Sequence, residues 1–240
     1  MNVIAEALAW LFDGANWQGP RGLLVGVGVQ LGYTFAAVAI ACLIAVPLGW
    51  LIGHTGRGRE IAVALSGAAR AVPSFGLLLL LVLLIGVLRL PQAALLTFVL
   101  LAIPPILAGA YAGFEAIDRQ VIGAARAVGM TPSQVLWRVE VPLGLSLLVA
   151  GIRSAVLQVV ATVTIAAYVD LGGLGLPIIT GLALRDYSRV LGGALLVAIL
   201  ALLLDAVFAA LQAAAVPRGI RVGRAPARAG GGRARRVATA

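Results

Sequence analysis

Residues 115–142, EAIDRQVIGAARAVGMTPSQVLWRVEVP, form a polar island between long apolar runs. Glu115, Asp118, Arg119, Arg126, Arg138 and Glu140 fall within it. Of the 240 residues, 62% are hydrophobic and 11% are charged, and the mean hydropathy is +1.07. Soluble domains carry about 25% charged residues. No water-soluble fold hides this much apolar surface, so the bilayer must be the solvent and the chain an all-α integral membrane protein. An ordered polar segment kept outside the bilayer is then a surface for a partner.

The island carries its own local signals. Glu115 and Arg119 are spaced i,i+4 in the favourable order. Ala124, Ala125 and Ala127 offer a small-residue face that lets another surface approach closely. Gly129 is placed as the residue that ends a helix in a left-handed conformation. Thr131-Pro132-Ser133-Gln134 reads as a capping box, with Thr131 as N-cap, Pro132 at the first helical position and Gln134 at the third. Met130 and Val135 would staple that start, and Pro142 marks entry to the next span. The pattern predicts two short helices joined by a rigid elbow.

Working outward, five stretches have about the 20 apolar residues a span needs: 23–53, 61–88, 92–114, 143–169 and 190–216. Pro73 interrupts the second, so residues 60–72, with Arg70, form a candidate separate segment. Arg57, Arg59, Arg119, Arg126, Arg138 and the Arg-rich tail fall on one side, and Arg21, Arg89, Arg185 and Arg189 on the other. The richer side is cytoplasmic, which puts the N-terminus outside, the C-terminus inside and the elbow in the cytoplasm. Residues 1–22 read as an N-terminal interfacial segment with Ile4, Leu8, Leu11 and Phe12 on one side, an extra poorly anchored helix being the alternative. Residues 217–240 read as a basic disordered cytoplasmic tail that fixes topology and touches anionic lipid.

The net charge of +9 comes entirely from Arg over acidic residues, and its placement follows membrane topology rather than nucleic-acid binding. The single Cys42 excludes a disulfide framework and a cysteine metal site. His54, before a Gly/Arg turn, reads as a solvated loop histidine. No catalytic motif for a membrane enzyme appears, and a passive channel would leave the capped elbow without a purpose.

Gly123-Ala124-Ala125, then Gly129, then Val139, Val141 and Pro142 resemble the EAA loop of binding-protein-dependent ABC importer permeases. That pattern is EAA, three residues, Gly, nine residues, an aliphatic residue and a Leu-Pro pair. Gly123 stands where the family has Glu, and Val141 where it has Leu. The stretch from Val139 to Gly175, the Arg70-x-x-Pro73-Ser74 run and the Gln30-centred first span resemble the subgroup that imports glycine betaine, choline and related osmoprotectants. The resemblance covers residues 23–212.

It implies a type I ABC importer transmembrane domain over 23–216, with 115–142 as its cytoplasmic coupling loop in a multi-pass protein of the bacterial cytoplasmic membrane. Ala124, Ala125, Gly129, Thr131, Pro132 and Pro142 would make the ATPase-coupling surface. The implied partners are a second permease chain, homologous or identical, two cytoplasmic ATPase subunits and an extracytoplasmic substrate-binding protein. ATP and Mg would sit on the ATPase, since this chain carries no phosphate loop and binds no cofactor of its own. The solute would be an osmoprotectant of the glycine betaine, choline, carnitine or proline class, with another small polar solute such as an amino acid as the alternative.

Polar residues inside apolar runs complete the candidates. Arg153 is eleven residues after Pro142 and Asp205 twelve before Pro217. Both would lie about 16–18 Å from the cytoplasmic boundary, as an intramembrane ion pair or as separately solvated groups. Gln30, Thr34, Gln158 and Thr162 either line the pathway or bond neighbouring helices. Residues 170–177, with their Gly-Gly-Leu-Gly run, read as too flexible for a stable helix, either a re-entrant loop or gate or a tucked connection.

Overall fold

A computed structural model describes residues 2–216, except for the side chains at 61, 65, 66 and 68–70. The side chain of Arg70 and the basic tail over 217–240 therefore lie outside the described residues. Among the described residues ten α-helices follow one another: α1 Val3–Phe12, α2 Leu23–Thr55, α3 Arg59–Ala71, α4 Ser74–Ile85, α5 Leu90–Glu115, α6 Arg119–Ala127, α7 Pro132–Val135, α8 Val141–Ile165, α9 Gly175–Leu184 and α10 Tyr187–Ala215. Four uninterrupted helical stretches among these residues are long and apolar enough to cross a membrane: Leu23–Thr55, Val87–Glu115, Pro132–Val169 and Tyr187–Ala215.

The stretch 61–88 is not a single span but α3 and α4. Val72, before Pro73, is extended at φ −74°, ψ 123°, because the proline ring disfavours a helical conformation in the residue preceding it. Neither half alone has the length of a span.

Side-chain size is inverted relative to a soluble bundle. The core is largely small, with Ala37, Ala41, Ala45, Ala93, Ala94, Ala102 and Ala155 fully buried around Phe98, Leu78 and Ile106. Large apolar groups such as Leu43, Leu83, Leu84, Leu202 and Leu203 point outward. Lipid supplies no hydrophobic drive between helices, so close contact of small residues does the packing. Helix α5 sits centrally against α2 and α8. A Cβ on Gly109 would lie 2.7 Å from the Leu147 carbonyl oxygen, and one on Gly113 2.6 Å from that of Gly144. A Cβ on Gly151 would come within 2.5 Å of the Pro105 carbonyl oxygen. These glycines are small because two backbones meet there. The Gly109-x-x-x-Gly113 spacing was a readable signal of it.

The N-terminal segment is anchored on protein. Helix α1 packs on the first turns of α10, the Ser188 hydroxyl donating to Glu6 Oε2 at 3.0 Å. Ala7 and Leu11 face inward, whereas Ile4, Leu8 and Phe12 stay exposed, so Leu11 does not share their side. Residues 170–177 are also more ordered than their composition suggests. The chain turns through Asp170, Gly172 and Gly173 at positive φ, then α9 starts at Gly175 and pairs with α10.

Candidate functional site

The polar island is built from backbone caps outward. Helix α5 ends at Glu115, and Asp118 Oδ1 accepts from the Gln120 N–H at 2.9 Å to open α6. Glu115 and Arg119 therefore sit on different helices, and Glu115 pairs instead with Arg59, Nε to Oε1 2.9 Å. At the other end of α6, Gly129 has φ +86°. The Gly129 N–H donates to the Arg126 carbonyl at 3.0 Å and the Met130 N–H to that of Ala125 at 3.2 Å. This is a complete Schellman closure. Next, the Thr131 hydroxyl accepts from the Gln134 N–H at 3.4 Å, and Gln134 Oε1 accepts from the Thr131 N–H at 2.9 Å, the reciprocal capping box. Val135 is fully buried.

The second helix of the elbow is not a separate short helix, and Pro142 does not mark a new start. Helix α7 runs through a widened turn, Leu136–Glu140, straight into α8. Pro142 has no N–H to give the Arg138 carbonyl, so the chain opens by one residue, and the Val141 N–H reaches back to Leu136. The second helix of the elbow and the fourth apolar stretch are one continuous helix. The expected small face is divided too: Ala125 is buried, whereas Ala124 and Ala127 are exposed.

The widened turn presents two side chains to the end of α2. Glu140, whose side chain is only 8% exposed, meets His54 Nδ1 at 2.5 Å. His54 is thus not a solvated loop residue but the partner of a buried carboxylate 86 positions away, a pairing that carries no sequence signal. Trp137 packs edge-on against Trp50 at 5.7 Å, and Trp50 stacks on Phe114 at 6.2 Å. Between α6 and the ends of α2 and α5 lies an open cleft of about 580 Å³ lined by Arg59, Glu115, Arg119, Gly123, Arg126 and Glu140. Gly123, where the resembled family has Glu, has open space around its Cβ position.

Residues 45–221 match the family model described as "Binding-protein-dependent transport system inner membrane component". This chain belongs to that family. It is 34% identical over 85% of its length to the carnitine transport permease protein OpuCB of Listeria monocytogenes, covering 93% of that protein. It is 30% identical over 83% of its length to the glycine betaine/carnitine/choline transport system permease protein OpuCB of Bacillus subtilis, covering 91% of that protein. Its fold is similar to a chain of the MetNI methionine ABC transporter solved in inward-facing conformations. That match has TM-score 0.69 and 26% identity, and covers 81% of this chain and 97% of the other. The chain is thus an inner membrane component of the type I ABC importer fold, from a family of non-catalytic permease subunits.

Within that permease fold, the remaining candidates fall into two groups. Arg153 on α8 and Asp205 on α10 meet in a two-pronged contact, Nε to Oδ1 2.5 Å and a terminal guanidinium nitrogen to Oδ2 2.6 Å. In the other group, Gln30, Thr34 and Thr162 make internal hydrogen bonds. Gln30 is fully buried, donates to the Val160 carbonyl at 2.7 Å and accepts from the Leu174 N–H at 3.3 Å. Thr34 donates to the Gln30 carbonyl and Thr162 to that of Gln158, each one turn back on its own helix. Gln30 thereby ties α2 to α8 and to the loop before α9. Gln158 is half-buried on α8.

Proposed function

We propose that this chain is the membrane-spanning subunit of an ATP-driven importer that moves a small osmoprotectant of the glycine betaine, choline, carnitine or proline class by alternating access. The observation that carries the reading is the elbow: a polar helix, α6, closed at both ends outside the apolar core, and a tight turn from it into α7, which is continuous with a membrane-length helix. Such a device converts a push on α6 and α7 into motion of α8. In this reading a cytoplasmic ATPase grips the elbow, with Ala124 on the contact face, Gly129 and the Thr131–Pro132 cap holding its shape, and Pro142 setting the widened turn. Two ATPase subunits hold ATP and Mg, a second permease chain completes the pathway, and an extracytoplasmic binding protein delivers the solute. The solute class is supported by the names of the relatives at 34% and 30% identity.

The test is uptake by membrane vesicles containing the chain with its ATPase and binding protein. Labelled glycine betaine, choline, carnitine and proline are offered, with methionine as the amino-acid comparison. Accumulation of one of the first four only in the presence of ATP is the expected result. Replacing the exposed Ala124 with Trp should release the ATPase on purification and abolish accumulation. Uptake that proceeds without an ATPase overturns the reading, and uptake of methionine alone overturns the solute class.

A further inference from the structure

We propose that His54 and Trp50 of α2, clasped to Glu140 and Trp137 of the widened turn, are the positioning residues through which displacement of the elbow reaches α2. This rests on the reading of the elbow as the ATPase docking point. Trp50 and His54 are four residues apart and share one face of α2. Trp137 and Glu140 are three apart within a turn of five-residue periodicity. The two pairs meet as one apolar and one polar contact, ring to ring and imidazole to carboxylate. Widened turns of this kind are concentrated at functional sites, because the extra residue re-aims the side chains around it.

The polar half of the clasp commits both partners. A buried carboxylate is costly without a partner, and His54 is the one that Glu140 meets among the described residues. The other charged groups at the cleft do not compete: Arg59 is held by Glu115, and Arg119 and Arg126 are on the exposed α6. Moving the turn without α2 would strand Glu140, so the two move together. Close packing of the Trp50, Phe114 and Trp137 rings beside it transmits displacement in the same way.

What α2 then does is set at its other end. Gln30 lies 24 residues before His54, about 36 Å along the helix. There it bonds α8 and the backbone N–H of Leu174, the residue just before α9, which leads to α10. Helix α2 is thus fastened to α8 at both ends, once next to the elbow and once at the far mouth. Helix α2 runs unbroken from Gln30 through Pro47 to His54, and held in this way it passes a shift from one face of the membrane to the other without any residue in its middle having to change partners.

The experiment uses the whole transporter, with its ATPase and binding protein, in proteoliposomes, and reads solute accumulated per ATP hydrolysed. His54→Ala and Glu140→Ala should each keep the ATPase bound and hydrolysing, while accumulation per ATP falls about tenfold. The double variant should be no worse than either single one, because both remove the same contact. His54→Gln, which restores an N–H donor, should regain most of the loss. A purely structural role would instead lower bound ATPase, hydrolysis and uptake in proportion, and that result overturns the proposal, as does unchanged or additive behaviour. Failure of the docking reading shows elsewhere: Ala124→Trp would leave the ATPase bound, and the clasp's coupling role would fall with it.

Discussion

Among the described residues, two arginine–carboxylate contacts divide the work. Arg59–Glu115 is the more exposed and ties the start of α3 to the end of α5. Surface pairs of that kind contribute little to stability. Arg153–Asp205 is different, because its two-pronged geometry joins two membrane-length helices through groups that lipid cannot solvate. Sequence depth alone left pairing and separate solvation equally open for these two residues; the structure has them paired. A charge-reversal series follows. Arg153→Asp and Asp205→Arg should each reduce the amount of folded chain in the membrane several-fold, and the double reversal should restore it, read by immunoblot of solubilised membranes and by thermal denaturation in detergent. A double reversal that fares no better than the single ones would show that the contact contributes nothing to the fold. Gln30 was open between two uses as well, lining the pathway or bonding a neighbouring helix, and its side chain is spent on a carbonyl and a buried N–H.

At the level of elements, what was legible followed from local rules. The elbow's caps were readable because a Schellman glycine and a capping box are set by residues within five positions of one another. The break at Val72–Pro73 was readable for the same reason. The continuity of α7 with α8 was not, since Pro142 is equally compatible with a helix start and with a widened turn, and packing decides between them. Helix α9 was missed because glycine-rich composition argues against helix, whereas Gly175 and Gly181 are there to let α9 lie against its neighbours. The contact between α5 and α8 shows how strong that demand is. Gly151→Ala should gain up to about 1 kcal/mol of helix propensity. Its Cβ, however, would lie 2.5 Å from the Pro105 carbonyl oxygen, and backbone cannot swing aside as a side chain can. Overpacking costs of about 1–3 kcal/mol should therefore win, lowering the midpoint of thermal unfolding in detergent by a few degrees. Gly28→Ala, at a helical glycine with open space around it, should raise the midpoint or leave it unchanged.

For the whole molecule, the described arginines nearly balance between the two ends of the bundle. Arg57, Arg59, Arg119, Arg126 and Arg138 lie toward the elbow in sequence, against Arg21, Arg89, Arg185 and Arg189 in the other connections. Five against four is a weak bias, and we propose the elbow side as the cytoplasmic one on the strength of the seven arginines from Arg218 to Arg236. The structure adds an independent marker at the far end. Helix α1 rests on the first turns of α10, with Glu6 against Ser188 and Trp10 against Gly192, and Arg21 and Arg189 line one cavity beside it. The end of α1 and the elbow should then be reached from opposite sides of the membrane. In a Cys42→Ala background, Phe12→Cys and Val128→Cys place single thiols at two well-exposed positions, 81% and 77% exposed. A membrane-impermeant maleimide should label the first in intact spheroplasts and the second only after permeabilisation. The reverse pattern would put the elbow outside the cell, where no ATP is available to drive it, and the coupling reading could not survive that result.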